Sequence, residues 1–321
     1  MTCLMFKHRV FAALLIASIG SAGWAQADTL RVGTPAGKNF TFLPLRIGMQ
    51  KGFFAKHGLD IEATDFSGGA KLQQAMVAGA VDMAVSAGTD IGFAAKGAPE
   101  LAVAAMGNRP PLGLVVAYES PAKTVEDLKG KKVGVTTVGS LTEWMMKRYA
   151  QQHGWKPDDV VLVPIGSDLA AQTALLTTGQ IDAIVSPPSL GYQLELTKRG
   201  RVLLPTFDLG ADFLAEAIYA SKAILADNPD AVRRFLRGWF ENIAWMRANK
   251  TETVEIARGF TQNAAEVQSR EYDLVMPIFS SDGKFHAAAL KTLQQSFIEM
   301  GVFDKEPDLT KLYTEAYLPA K

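Results

Sequence analysis

Hydrophobic and polar positions follow a pattern that this chain writes twice. Residues 61–90 read IEATDFSGGAKLQQAMVAGAVDMAVSAGTD, and residues 160–189 read VVLVPIGSDLAAQTALLTTGQIDAIVSPPS. In register, Ser67 falls on Ser167, Gly79 on Gly179, Asp82 on Asp182, Val85 on Val185 and Ser86 on Ser186. Each copy predicts a strand, a small polar loop, an amphipathic helix closed by Gly, a second strand and a second polar loop. In the first copy Leu72, Ala75, Met76 and Ala78 share one helical face. Two similar α/β units with polar loops at their strand ends predict a ligand held between two lobes.

The pattern around the repeats completes each unit. A strand is expected at 29–33, a helix at 44–57 closed by Gly58, and strands at 59–66, 101–106 and 112–118, with a helix at 91–96. The order then restarts: a turn of helix at 125–130, a strand at 132–136, a helix at 142–153, a helix at 192–199 and a strand at 202–204. A last strand is expected at 216–221, and beyond Pro229 the texture becomes helical, at 229–249, 252–259, 264–279, 285–300 and 309–317. Alternating strands and helices imply right-handed crossovers and mainly parallel sheets. The expected fold class is α/β, with two Rossmann-like lobes joined by a two-stranded hinge and a helical C-terminal region. Residues 28–117 and 213–321 are assigned to one lobe and 118–212 to the other, with crossings near 116–119 and 213–217. Two crossings suit closure around a ligand.

The first 27 residues stand apart from this pattern. Lys7, His8 and Arg9 precede an apolar run over 10–22, and Ala25-Gln26-Ala27 offers a small-x-small cleavage site, the arrangement of a secretory signal peptide. The apolar run is shorter than the roughly 18 residues a membrane anchor needs. A chain starting at Asp28 is expected in the periplasm. It loses the single cysteine, Cys3, and with it disulfides, thiolate catalysis and Cys-based metal sites. Without Lys7 and Arg9 the chain has 31 basic and 33 acidic residues, a formal charge of −2. That balance offers nothing to nucleic acid or to an anionic membrane.

Ligands of open parallel sheets bind outside the carboxyl ends of the strands. The rule selects the loops at 34–42, 67–69, 86–90, 137–140, 166–168 and 186–189, rich in Gly, Ser and Thr. Such residues let backbone N–H groups approach a ligand, and several of these loops open into a helix N-terminus. The candidate ligand-binding residues are Phe40, Thr41, Ser67, Gly68, Gly69, Ser86, Gly88, Thr89, Thr137, Gly139, Ser140, Ser186 and Pro187, with Asp212 beside the hinge. Taken singly, Ser, Thr and Asp before a helix are ordinary N-caps. Asp82 and Asp182 begin strands, away from this edge, and read as turn or capping residues. Phe40, Phe42 and Phe207 are the aromatic candidates for the cleft, while Trp144 and Trp155 read as core. No catalytic residue, metal site or cofactor is expected. His57, His153 and His286 are scattered, and Gly33, Gly37, Lys38 and Asn39 miss the phosphate-loop spacing.

Several local motifs carry a resemblance. Lys51-Gly52-Phe53-Phe54, Gly58-Leu59-Asp60-Ile61-Glu62, the Gly79-x-x-Asp82 turn, Ala95-Lys96-Gly97-Ala98-Pro99 and the run from Asp127 to Val135 resemble the substrate-binding proteins of ABC importers. The likeness is to the group for nitrate, taurine and aliphatic sulfonates, which also includes binders of thiamine-pyrimidine precursors. It implies a type II periplasmic-binding fold, a monomer that closes on one small solute, and docking on an inner-membrane permease driven by an ATPase. The family's binding positions fall on Phe40-Thr41, Ser67 to Gly69, Ser86 to Thr89, Gly139-Ser140 and Ser186-Pro187. Pro187-Pro188 and the acids Asp90, Asp168, Asp208 and Asp212 depart from the family pattern, and a buried acid would repel a simple oxyanion. Enzymes of pyrimidine synthesis and of the menaquinone pathway share this fold, and a sensory binding protein is a third expectation.

Overall fold

A computed structural model describes residues 27–66, 68–138, 140–208 and 212–320. The leader assigned to 1–27 therefore lies almost wholly outside the described residues, as do Ser67 and Gly139.

The first sheet orders its strands β2-β1-β3-β10-β4, from β1 (Asp28–Thr34), β2 (Leu59–Asp65), β3 (Met83–Ala87), β4 (Glu100–Gly107) and β10 (Glu216–Ser221). The second orders them β7-β6-β8-β5-β9, from β5 (Gly113–Ala117), β6 (Lys132–Val135), β7 (Val161–Pro164), β8 (Ala183–Ser186) and β9 (Gly200–Leu204). Within each sheet one strand, β10 or β5, is antiparallel to both neighbours. The sheets are thus mixed rather than wholly parallel, and each receives its reversed strand from the far side of a crossing.

The duplication seen in sequence is structural. Asp82 accepts from the Arg31 backbone N–H at 2.9 Å, and Asp182 accepts from that of Lys132 at 2.9 Å. These carboxylates tie neighbouring parallel strands at their amino edges, so both are structural, though they stitch strands rather than cap helices.

Helices α1 (Leu43–Gln50), α2 (Gly69–Val77) and α3 (Ile91–Ala95) accompany the first sheet, and α4 (Leu141–Gln152), α5 (Leu169–Thr177) and α6 (Pro188–Leu196) the second. The helix expected over 44–57 stops at Gln50, because the chain turns through Gly52 at φ +74°. Helix α6 begins at Pro188, a residue suited to the first helical position. The C-terminal region supplies α7 (Lys222–Asp227), α8 (Pro229–Ala248), α9 (Lys250–Thr261), α10 (Ala265–Val275) and α11 (Ala287–Glu299). Phe235, Leu236, Trp239 and Ile243 of α8 are buried with Leu45 and Ile47 of α1 and Val85 of β3.

Two expectations are corrected. The strand at 113–117 pairs in the second sheet, not the first, so the outward crossing lies at 108–112. Residues 309–317 form no helix. They lie along the edge of β4, where Ala102 N donates to the Leu312 carbonyl at 3.0 Å and Thr314 N to the Ala102 carbonyl at 2.9 Å. The segment thereby covers an open strand edge.

Candidate functional site

Both crossings run from one carboxyl edge to the other. Gly107 ends β4, and Gly113, which starts β5, pairs with Ser186, the last residue of β8. On the return, β9 ends at Leu204, and Glu216 opens β10 opposite Ala87, the last residue of β3. The two segments bond to each other: Phe207 N to Leu112 O at 3.1 Å, Phe213 N to Asn108 O at 2.9 Å and Ala215 N to Gly107 O at 2.9 Å. This is a two-stranded hinge. Five residues, 108–112, separate the strands on the outward pass, and a link of that length spans at most about 20 Å. The carboxyl edges therefore border one cleft, with the hinge along it.

Apolar packing fixes the hinge. Phe213, Leu214 and Ala215 are buried, and the Phe213 ring stacks on Trp144 of α4 at 4.5 Å. Gly88 follows β3 at this point and donates its N–H to the Ala215 carbonyl at 2.7 Å. A Cβ on Gly88 would lie 2.0 Å from the Leu214 carbonyl oxygen, so only glycine admits the return crossing here. Gly88, expected among the ligand contacts, has this close approach as its visible task.

The remaining candidates divide by lobe. Ser86 is buried and donates its hydroxyl to Asp90 Oδ2 at 2.5 Å, and Gln73 Nε2 donates to the same oxygen at 3.3 Å. Burial raises the pKa of Asp90, while these two bonds oppose the rise. The Asp90 carboxyl lies against the first turn of α2, since a Cβ on Gly69 would be 3.2 Å from either oxygen. Gly68, preceding that helix, has φ +104° and supplies no side-chain cap. Thr89 is half-buried beside this group. Phe40 and Thr41 form the 3-10 turn ahead of α1, with Thr41 N donating to Asn39 Oδ1 at 3.0 Å. The Phe40 ring is buried edge-on to Tyr272 of α10 at 6.2 Å.

On the second sheet, Ser140 caps α4 through the Glu143 N–H at 3.3 Å, and Thr137 before it is exposed. Ser186 is buried and its hydroxyl turns to the Pro187 carbonyl at 3.3 Å. Asp168 caps α5, accepting from Ala171 N at 2.7 Å. Phe207 is buried against Tyr149, with ring centroids 5.6 Å apart, and Trp144 and Trp155 are buried as expected. Asp212 sits in the hinge, 3.8 Å from Arg109 Nε and 3.8 Å from His286 Nδ1.

Sequence reasoning missed several residues here. Asn108 Nδ2 lies 3.1 Å from His286 Nδ1, and the Asn108 Oδ1 atom is buried without a hydrogen bond. Glu216 is buried at the start of β10, and burial pushes its pKa up to about 8. An acid opening the otherwise apolar run Glu216-Ala217-Ile218-Tyr219 was the available signal. Outside the cleft, lobes meet on two flanks. Trp144 and Arg148 of α4 reach Glu299 of α11, while Arg270 of α10 pairs with Glu195 of α6 at 2.7 Å and lies over the Tyr192 ring. Among the described residues, no group of three or more His, Asp or Glu side chains could hold a metal ion. No described helix is long and apolar enough to cross a membrane.

The strand order, the two-stranded hinge and the cleft between carboxyl edges define a protein of the periplasmic-binding-protein fold. The chain belongs to the NMT1/THI5-like family, which it matches over residues 39–253. It is similar in structure to the alkanesulfonate-binding protein SsuA from Xanthomonas axonopodis pv. citri bound to MOPS. That likeness has a TM-score of 0.74 and 19% identity, covering 90% of this chain and 99% of the other. In sequence it is 29% identical over 259 residues to a Brucella abortus protein named "Putative binding protein", spanning 79% of each chain. It is also 29% identical over 212 residues to a 4-amino-5-hydroxymethyl-2-methylpyrimidine phosphate synthase of Saccharomyces cerevisiae, across 61% of this chain and 60% of the other.

Proposed function

We propose that this chain is the solute-binding component of an ABC importer. The leader at 1–27 directs it to the periplasm. There it captures one small polar organic solute between its lobes, as a monomer without a cofactor, and presents the closed form to an inner-membrane permease with its ATPase. The observation that carries this reading is the hinge, which joins the carboxyl edges of both sheets through two hydrogen-bonded crossings. The resemblance suggests sulfonates, taurine and nitrate, with pyrimidine precursors and aromatic acids as alternatives.

Thermal-shift screening of those classes on the mature chain tests it, since a ligand at 100 times its dissociation constant adds about 2.7 kcal/mol. The bound solute should be recovered chemically unchanged. An absence of any shift across the panel would overturn the reading. The similarity to a yeast synthase supports a second reading, an enzyme of the same fold, and product formation on incubation would favour that one.

A further inference from the structure

Most acids around the cleft are engaged by the chain itself. Asp90 is held by Ser86 and Gln73, Asp168 caps α5, and Asp212 lies between Arg109 and His286. Glu216 is different. It is 9% exposed, and among the described residues no hydrogen bond or ion pair reaches its carboxyl. Its register partners are Ala87 and Gly107, the last residues of β3 and β4, which places it at the carboxyl edge where the cleft lies. A Cβ on Gly107 would come within 3.6 Å of Glu216 Oε2, so glycine leaves the space into which this carboxyl extends.

The Glu216 side chain is largely buried, but its carboxyl oxygens are not sealed from solvent at this edge, so they stay open to a donor from outside the chain. Glu100, by contrast, has both carboxyl oxygens sealed and without a hydrogen bond, and it opens β4 at the opposite, amino edge. Two places where an anion would ordinarily sit are already filled. The first turn of α2 faces the Asp90 carboxyl, and the N-terminus of α5 is taken by Asp168. The local field at these points suits positive charge and N–H donors rather than a sulfonate or nitrate oxygen.

Resting on the solute-binding reading above, we propose that Glu216 is the group that reads the ligand, and that the ligand presents to it a nitrogen donor: an amine, an amidine or a ring N–H. The carboxyl accepts that hydrogen bond, and closure of the lobes removes both partners from water, where a charge-assisted bond is strongest.

The test titrates the mature chain calorimetrically with two sets of probes. Benzamidine, 2-aminoimidazole and putrescine carry nitrogen donors, while ethanesulfonate, methanesulfonate and nitrate are oxyanions without one. The nitrogen probes should bind in preference to the oxyanions. Glu216→Met should weaken them at least tenfold, and Glu216→Gln, which keeps an acceptor, should fall between. Both variants should melt no lower than the parent, since each removes an unpartnered carboxyl. Oxyanion binding that exceeds nitrogen-probe binding, or Glu216→Met affinity within twofold of the parent, overturns this inference and leaves solute binding standing. Failure of every probe to bind overturns the inference together with the reading beneath it.

Discussion

Trp144 donates its indole N–H to Glu299 Oε2 at 2.6 Å, and this bond joins the second lobe to the last helix of the C-terminal region. Arg148 adds a contact to the other oxygen of the same carboxylate at 2.9 Å. The pair therefore acts as a latch between segments that the hinge alone would let separate. Glu299 is one-third exposed, which limits its contribution to about 1 kcal/mol. Glu299→Ala should shift the population towards the open form and raise the apparent dissociation constant about fivefold. Calorimetry would read the affinity, and small-angle scattering of the unliganded chain would show a larger radius of gyration. Unchanged values in both would rule out the latch.

Glu100 makes stability depend on pH. Its pKa is raised to about 8, first by burial and then by the charge of Asp90. The folded state thus holds the proton more tightly than the unfolded chain, whose carboxyl has the ordinary value of 4.5. Its stabilising contribution is whole below that ordinary value and is lost as pH rises through about 8. Over this window stability should fall by up to about 1.4 kcal/mol per pH unit from this group. Glu216 and Glu271 are raised in the same direction, so Glu100→Gln should flatten the decline without abolishing it. Melting temperatures from pH 5 to pH 9 would check this, and equal slopes in parent and variant would refute it.

Gly88→Ala brings a Cβ against a backbone carbonyl, which cannot rotate away. Overpacking of this kind costs about 1–3 kcal/mol. The variant should lose that much in urea unfolding and should also bind solute more weakly, because the displaced segment is the hinge. A variant of parental stability would show that the return crossing has slack.

Much of the scaffold was legible because its signals are local. The Gly-closed amphipathic helix α2 and the strands either side follow from side-chain period and C-terminal glycine, whereas α5, which buries Gln172 and Thr173 beside Leu176, is legible through its closing glycine and its register with the first copy. Sheet membership is not local. The apolar run at 113–117 would fit either sheet, and only the pairing of Gly113 with Ser186 decides. Residues 309–317 carry Leu309, Leu312, Tyr313 and Tyr317, a spacing a helix could use, yet an unpaired edge of β4 claims the backbone hydrogen bonds instead. The polar loops were found by the carboxyl-edge rule. Glu216 was not, since whether a carboxyl stays unpartnered depends on neighbours brought in from other strands and loops.

The position of β10 between β3 and β4 sets an order on assembly. The second sheet is drawn from one continuous stretch, β5 to β9, and lacks nothing once residue 204 has emerged. The first sheet has an empty middle until residues 216–221 arrive, and a bare outer edge until the segment around Tyr313 lies down on Ala102. The half of the molecule that is synthesised first is therefore the half that is finished last.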